Sequence, residues 1–323
     1  MSVPLRTAAV VGAGLAGLAC ARALAEAGVA VTLFDKGRAA GGRLATRRVE
    51  TGGRRLGFDH GAQYLTARGP SFATVLETHA VRWPAVADRE AHVGTPGMSA
   101  LPRALAAGLD LRPSRSVVGL ARRERGWILR HHEGDLARGP APDRPPEEAG
   151  PFDAVAVAVP HAQAAPLLPP ALAASLAPVR VAPCWALLVA FDAPVPLPDA
   201  VRPDSGPLAW AARDSAKPGR TAEAECWVVH AGPDWSRTTL ERRAEEVAPE
   251  LLAAFAELAG ALPPALHLAA HRWRYALVES PLGAPCLVDP SLRIGAAGDW
   301  CLGPRAEHAW DSGTALAAAL LGS

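Results

Sequence analysis

Ala8-Ala9-Val10-Val11-Gly12-Ala13-Gly14-Leu15-Ala16-Gly17 runs from a short apolar stretch straight into glycines spaced Gly-x-Gly-x-x-Gly. In that pattern the first glycine makes a tight turn, the second lets backbone approach a pyrophosphate, and the third lets a helix pack closely on the strand. The phosphate then lies at a helix N-terminus, where free N–H groups and the dipole favour an anion. Leu18, Cys20, Ala21 and Leu24 mark the apolar side of that helix, and Gly28 marks its end. Val29 to Phe34 reads as the next strand and closes on Asp35, placed where a carboxylate takes a ribose hydroxyl pair.

The continuation Asp35-Lys36-Gly37-Arg38-Ala39-Ala40-Gly41-Gly42-Arg43 separates FAD from NAD. A second glycine pair, Gly41-Gly42, lets the chain double back beside the same pyrophosphate, and Arg43 can neutralise it. This resembles the amine-oxidase and glutathione-reductase type of FAD protein. The fold class expected is α/β, a Rossmann-like FAD-binding domain of that type with an interleaved α+β substrate domain.

At 323 residues, half of them hydrophobic, the chain is long enough for two interlocked domains. A formal charge of +1 carries no nucleic-acid-binding field. Five cysteines, Cys20, Cys184, Cys226, Cys286 and Cys301, are odd in number and never paired as CxxC. A reduced, cytoplasmic protein with no metal site is the expectation. The residues 154–179 carry no formal charge, but five prolines interrupt them, and a membrane span needs about 20 unbroken apolar residues. No feature points to a protein partner.

Residues 43–55 are basic, and Arg47, Arg48, Arg54 and Arg55 read as a solvated loop or as phosphate attractors. In Phe58-Asp59-His60-Gly61-Ala62-Gln63-Tyr64 the small Gly61 and Ala62 let backbone pass a flat ligand, the flavin ring, with His60 as a structural hydrogen-bonder. A helix over 70–80 and a short one from Ala100 follow. The strands 116–120, containing Val117, and 127–130 form a meander beside the nucleotide. Residues 139–150 read as a surface loop, and 152–160 as a buried parallel strand. Strands 185–191, 208–213 and 226–231, then a long helix over 238–262 capped by Ser236 or Thr238, make the second domain.

Near the end, Gly298-Asp299 closes a strand and can set a carboxylate beside the ribityl chain. Glu307, His308 and Ala309 lead into a helix over 311–321 whose N-terminus faces the flavin pyrimidine, where negative charge develops on reduction. The FAD-binding domain is expected over 1–65, 105–160 and 285–323, and the substrate domain over 66–104 and 161–284.

Over nearly its full length the chain resembles the bacterial renalase family, flavoproteins of the amine-oxidase fold group. The glycine and acid motifs mark the FAD fold. The resemblance narrows through Gly94-Thr95-Pro96-Gly97-Met98-Ser99, Trp210-Ala211-Ala212-Arg213-Asp214-Ser215-Ala216-Lys217-Pro218, Trp227-Val228-Val229-His230, and His271-Arg272-Trp273-Arg274-Tyr275. It implies noncovalent FAD and oxidation of the 2- and 6-dihydro isomers of NAD(P)H to NAD(P)+, with oxygen reduced to hydrogen peroxide. A ring that only loses hydride needs stacking and few acid or base groups. Trp210 and His230, on adjacent strands, are the expected wall over the flavin, with Gln63 at the ring edge and Tyr275 nearby, although any one such ring more often fills a core than lines a site. His308 and Asp311 depart from the family pattern, and both bear on the substrate. A true amine oxidase is the competing enzyme, against which the loop-like setting of Lys217 counts. A flavin-binding scaffold without turnover is the reading from another class.

Overall fold

The computed structural model describes residues 4–86, 88–134, 145–220 and 223–322. It divides into two compact units, one of Met1–Gly42, Pro102–Arg180 and Val278–Ser323, the other of Arg43–Leu101 and Val181–Leu277.

The first unit is built on a six-stranded sheet in the order Leu287–Asp289, Ile294–Ala296, Ala154–Val157, Thr7–Val11, Ala30–Phe34, Asp110–Arg112. Thr7–Val11 is parallel to both of its neighbours, and only Leu287–Asp289 runs antiparallel at its edge. Every residue of Ala154–Val157 is buried, as a strand covered on both faces requires. The helix Leu15–Glu26 lays Leu18, Cys20, Ala21 and Leu24 against this core with no exposure. The last helix, Ala306–Leu321, crosses it closely: a Cβ on Gly313 would stand 2.0 Å from the Ala16 carbonyl oxygen. That helix begins five residues earlier than the sequence indicates, so Glu307, His308 and Ala309 lie in its first turn.

A three-stranded antiparallel meander, Arg115–Arg123, Gly126–Glu133 and Glu147–Phe152, completes the unit. Its third strand corrects the surface loop expected over 139–150; residues 135–144 lie outside the described ones. Glu147 and Glu148 pair across the ladder with His131 and Arg130, and the Glu148 carboxylate meets Arg123 at 2.9 Å. Cross-strand charge, not apolar alternation, supports this strand.

The second unit carries a five-stranded sheet ordered Ala200–Val201, Leu208–Arg213, Glu225–Ala231, Arg180–Phe191, Ala265–Ser280. Successive side chains point to opposite faces. Trp185, Leu187, Val189, Phe191, Trp227 and Val229 therefore pack on one face against Val247, Leu251 and Phe255 of the helix Ala244–Ala259. On the other face Ala186, Leu188, Cys226 and Val228 meet Leu56 and Phe58.

Leu56 and Phe58 belong to a hairpin, Arg47–Thr51 with Arg54–Phe58, and this replaces the solvated loop expected there. Their burial also draws residues 43–65 into the second unit, whereas residues 161–180 cluster with the first. The long helix expected over 238–262 is two helices, Pro233–Thr238 and Ala244–Ala259. Both Thr238 and Thr239 donate their hydroxyls back to the Trp235 carbonyl, closing the first helix. Glu245 and Glu246 open the second, where the dipole favours acids. Ser236 caps nothing; its hydroxyl accepts the Trp185 N–H. Among the described residues no helix is long and apolar enough to cross a membrane.

Candidate functional site

In the first unit the glycine turn forms a cradle whose geometry follows the residue types. Gly12 has φ of +103°, and a Cβ there would lie 2.5 Å from the Ala158 carbonyl oxygen. A Cβ on Gly17 would meet the Gly12 oxygen at 1.8 Å, so only glycine lets the helix sit this close to the strand. Gly14 differs: nothing lies within 4 Å of its Cβ position, and it begins the helix without a side-chain cap. The first-turn N–H groups are thus free for an anion.

The acid and the second glycine pair close on the same turn. The Asp35 carboxylate accepts the Ala13 N–H at 2.6 Å and the Gly37 N–H at 2.7 Å. Gly41 donates to the Ala13 carbonyl at 2.9 Å, and Gly42 faces the Gly14 Cα. Lys36 follows Asp35, half-buried. Arg115 donates to the Asp35 carbonyl and Ser114 to that of Gly37, which ties the strand carrying Val117 to the acid's loop. These features fit a dinucleotide cofactor: an open anion site, a carboxylate at the ribose position, and a backbone without side chains in the way.

The far end of the sheet adds a second carboxylate. Asp299 is buried and accepts the Trp300 N–H at 3.0 Å, while Gly298 leaves no room for a Cβ, which would stand 2.3 Å from the Trp300 indole nitrogen. Gly298 donates to the Ser312 hydroxyl at 3.0 Å, locking this turn to the last helix. In that helix's first turn Glu307 is buried and receives Arg305 at 2.8 Å; Ala309 is buried and His308 half-buried. Asp311, one turn on, has its carboxyl raised by partial burial and by the charge of Glu307.

In the second unit Trp210 and His230 are directly opposed across Leu208–Arg213 and Glu225–Ala231. They share the sheet face opposite the helix, together with Trp273. Alternation places His271 and Tyr275 on the Trp273 side of their strand, with Tyr275 half-buried. Over this face runs the 58–64 segment. The His60 carbonyl accepts the Trp273 indole at 2.9 Å and lies 3.2 Å from His230 Nε2, so Nε2 carries a proton. Burial lowers both His230 and His60 to about 4. The His60 ring stacks on Trp273 at 5.1 Å. Gly61 is required where the chain turns back: a Cβ would lie 2.1 Å from the Arg43 carbonyl oxygen, to which Ala62 donates. The Arg43 guanidinium donates to the Ala276 carbonyl at 2.9 Å.

Sequence reasoning missed the charge cluster beneath Gln63. Asp59 accepts the Thr46 hydroxyl at 2.6 Å, the Met98 N–H at 2.9 Å and the Arg220 guanidinium. Lys217 lies 2.5 Å from Asp214 and 3.7 Å from Asp59, and donates to the Gln63 side-chain Oε1 at 3.3 Å. The Gln63 amide in turn donates to the Asp59 and Gly61 carbonyls. Burial pushes Asp59 up, but Lys217 and Arg220 outweigh it and hold the carboxyl below its usual range; at Asp214 burial wins and the carboxyl is raised. Lys217 is thus no exposed loop lysine. The spacing of Asp214 and Lys217, three apart around a short helical turn, was the available signal.

A Rossmann-like nucleotide unit thus stands in one chain with a sheet that bears aromatic rings. Residues 10–78 match the NAD(P)-binding Rossmann-like domain, and residues 81–321 match the flavin containing amine oxidoreductase model. The chain belongs to the flavin-containing amine oxidoreductase family and is an FAD-dependent oxidoreductase. A 60-residue segment, 19% of this chain, is 47% identical to Lysine-specific histone demethylase 1 homolog 3 of Oryza sativa subsp. indica, and spans 7% of that protein. Among solved structures, "Putative protoporphyrinogen oxidase" from Exiguobacterium sp. 255-15 shares the fold over 99% of both chains, with TM-score 0.73 and 12% identity. The A394C mutant of putrescine oxidase does so over 98% of this chain and 99% of its own, with TM-score 0.71 and 14% identity.

Proposed function

We propose that the protein is a renalase-like oxidase, converting the 2- and 6-dihydro isomers of NAD(P)H to NAD(P)+ and passing the electrons to oxygen to give hydrogen peroxide. The observation that carries this reading is the neutral aromatic face of the second unit. His230 and His60 stay uncharged near pH 7, and the carboxylates of Asp59 and Asp214 are enclosed with Lys217 and Arg220. A protonated amine would need an open carboxylate or a base to become a hydride donor. A dihydronicotinamide ring is neutral and needs only to be stacked in one register.

In this reading the first unit holds FAD through Gly12, Gly14, Gly17, Asp35, Lys36, Gly42, Val117, Asp299 and the first turn of the last helix. FAD supplies the two-electron acceptor and returns the electrons to oxygen. Trp210 and His230 stack the donor ring, with Tyr275 at the same face. Gln63, its amide fixed by Lys217, Asp59 and Gly61, orients the ring's carboxamide.

The second reading is an amine oxidase, supported by the family match and by the buried Lys217, which a sequence-level reading set in a loop. Oxygen uptake and peroxide release separate the two. One mole of peroxide per mole of dihydro isomer, with no turnover of putrescine or benzylamine, supports the proposal. Turnover of amines alone replaces it with the second reading.

A further inference from the structure

Tyr64 joins two arginines that the catalytic account leaves unused. Arg202 donates to its hydroxyl at 2.7 Å and Arg89 at 3.3 Å. Arg202 also lies over the Trp210 ring, 5.1 Å from its centre, and the Tyr64 and Trp210 rings are 5.6 Å apart. The placement is set by backbone. Val201 pairs with Ala211, so Arg202 falls beside Trp210, and Leu65 exchanges both N–H bonds with His92, fixing Tyr64. Asp88 takes up Arg89 through two hydrogen bonds. Arg202 makes no close ion pair among the described residues, although its charge reaches the Asp88 carboxylate, and the residue is exposed. One positive charge is therefore left over.

A phenol oxygen has two lone pairs and one proton. At Tyr64 the arginines occupy both lone pairs, and its own hydrogen has no acceptor among the described residues. The Trp210 indole N–H, buried, likewise has none. Asp88 already holds the Arg89 fork, and beside it the Arg202 guanidinium, the Tyr64 hydroxyl and the Trp210 indole N–H present donors along one edge of the aromatic face. A planar guanidinium matches the oxygens of phosphate two at a time, and like charge turns a cationic amine away.

We propose that Arg202, Arg89 and Tyr64 form an anion subsite that holds the phosphate of a nucleotide substrate whose ring stacks at Trp210 and His230. The proposal rests on the nicotinamide reading and gives it a selectivity determinant: phosphorylated donors are preferred to the corresponding nucleoside.

The test compares wild type with Arg202→Gln and Arg202→Lys in the FAD-loaded protein. With 6-dihydronicotinamide mononucleotide and the matching riboside as donors, the ratio of their kcat/KM values falls by about tenfold or more in Arg202→Gln and is partly restored by lysine. In parallel, ADP-ribose is titrated by calorimetry. Wild type binds it and Arg202→Gln binds it at least about tenfold more weakly. An unchanged ratio, or equal ADP-ribose affinity in both proteins, overturns the subsite. Should wild type oxidise neither these donors nor 6-dihydro NAD, the nicotinamide reading fails, and the ADP-ribose titration still decides whether the anion subsite exists.

Discussion

Lys217 has its whole side chain out of water, with its ammonium group against Asp214 and over the Trp83 ring at 5.3 Å. Removing one partner of a buried pair leaves the other charge uncompensated, at a cost of about 3–5 kcal/mol. Lys217→Met is expected to lower the unfolding free energy of the FAD-loaded protein, extrapolated from urea titration, by that much, and a change within error would show the pair to be dispensable. His60 contributes to the acid limb of stability. Its folded value, about 4, lies below the ordinary 6.5, so between those values the unfolded chain binds a proton that the folded chain refuses. Stability from this group is complete above pH 6.5 and lost as pH falls toward 4, on the order of 3 kcal/mol. Unfolding free energies at pH 7 and pH 5 measure the slope, to which His230, also lowered to about 4, contributes in the same sense; His60→Gln should remove about half of it, and an equal slope in both proteins would assign the acid sensitivity elsewhere.

The strands Leu208–Arg213 and Glu225–Ala231 carry the pair on which the substrate reading depends. Trp210→Ala should slow reduction of bound flavin on the order of ten- to hundredfold through loss of register, with the flavin spectrum of the resting protein unchanged. Loss of flavin instead would make Trp210 a structural residue. Those strands, like Thr7–Val11 and Ala154–Val157, were legible because their apolar residues are continuous or alternate. The hairpin at Arg47–Phe58, the strand Glu147–Phe152 and the long edge strand Ala265–Ser280 were not. Their residues are charged or half-exposed, and they are held by cross-strand pairs and by a few buried anchors such as Phe58. The cradle was legible down to Gly41 and Gly42, since glycine spacing reports backbone approach directly. The Asp59, Asp214, Lys217, Arg220 cluster was hidden because it joins residues up to 161 positions apart.

At the scale of the molecule, two units share the labour: one is shaped by glycine to accept a dinucleotide, the other presents aromatic rings with enclosed charges. Burial pushes the Cys20, Cys184, Cys226 and Cys301 thiols up to about 12, so these four stay protonated near neutral pH and offer no thiolate for a tether. Hot acid should therefore release all the flavin into the supernatant, and colour left in the pellet would contradict a noncovalent cofactor. The central claim concerns the donor, and anaerobic stopped-flow mixing tests it most directly because oxygen chemistry is removed from the observation. The account predicts that 2- and 6-dihydro NAD(P) isomers bleach the flavin in one rapid phase, while ordinary 4-dihydro NADH and simple amines do so poorly. Rapid bleaching by amines or by 4-dihydro NADH, with none from the 2- and 6-isomers, would contradict it.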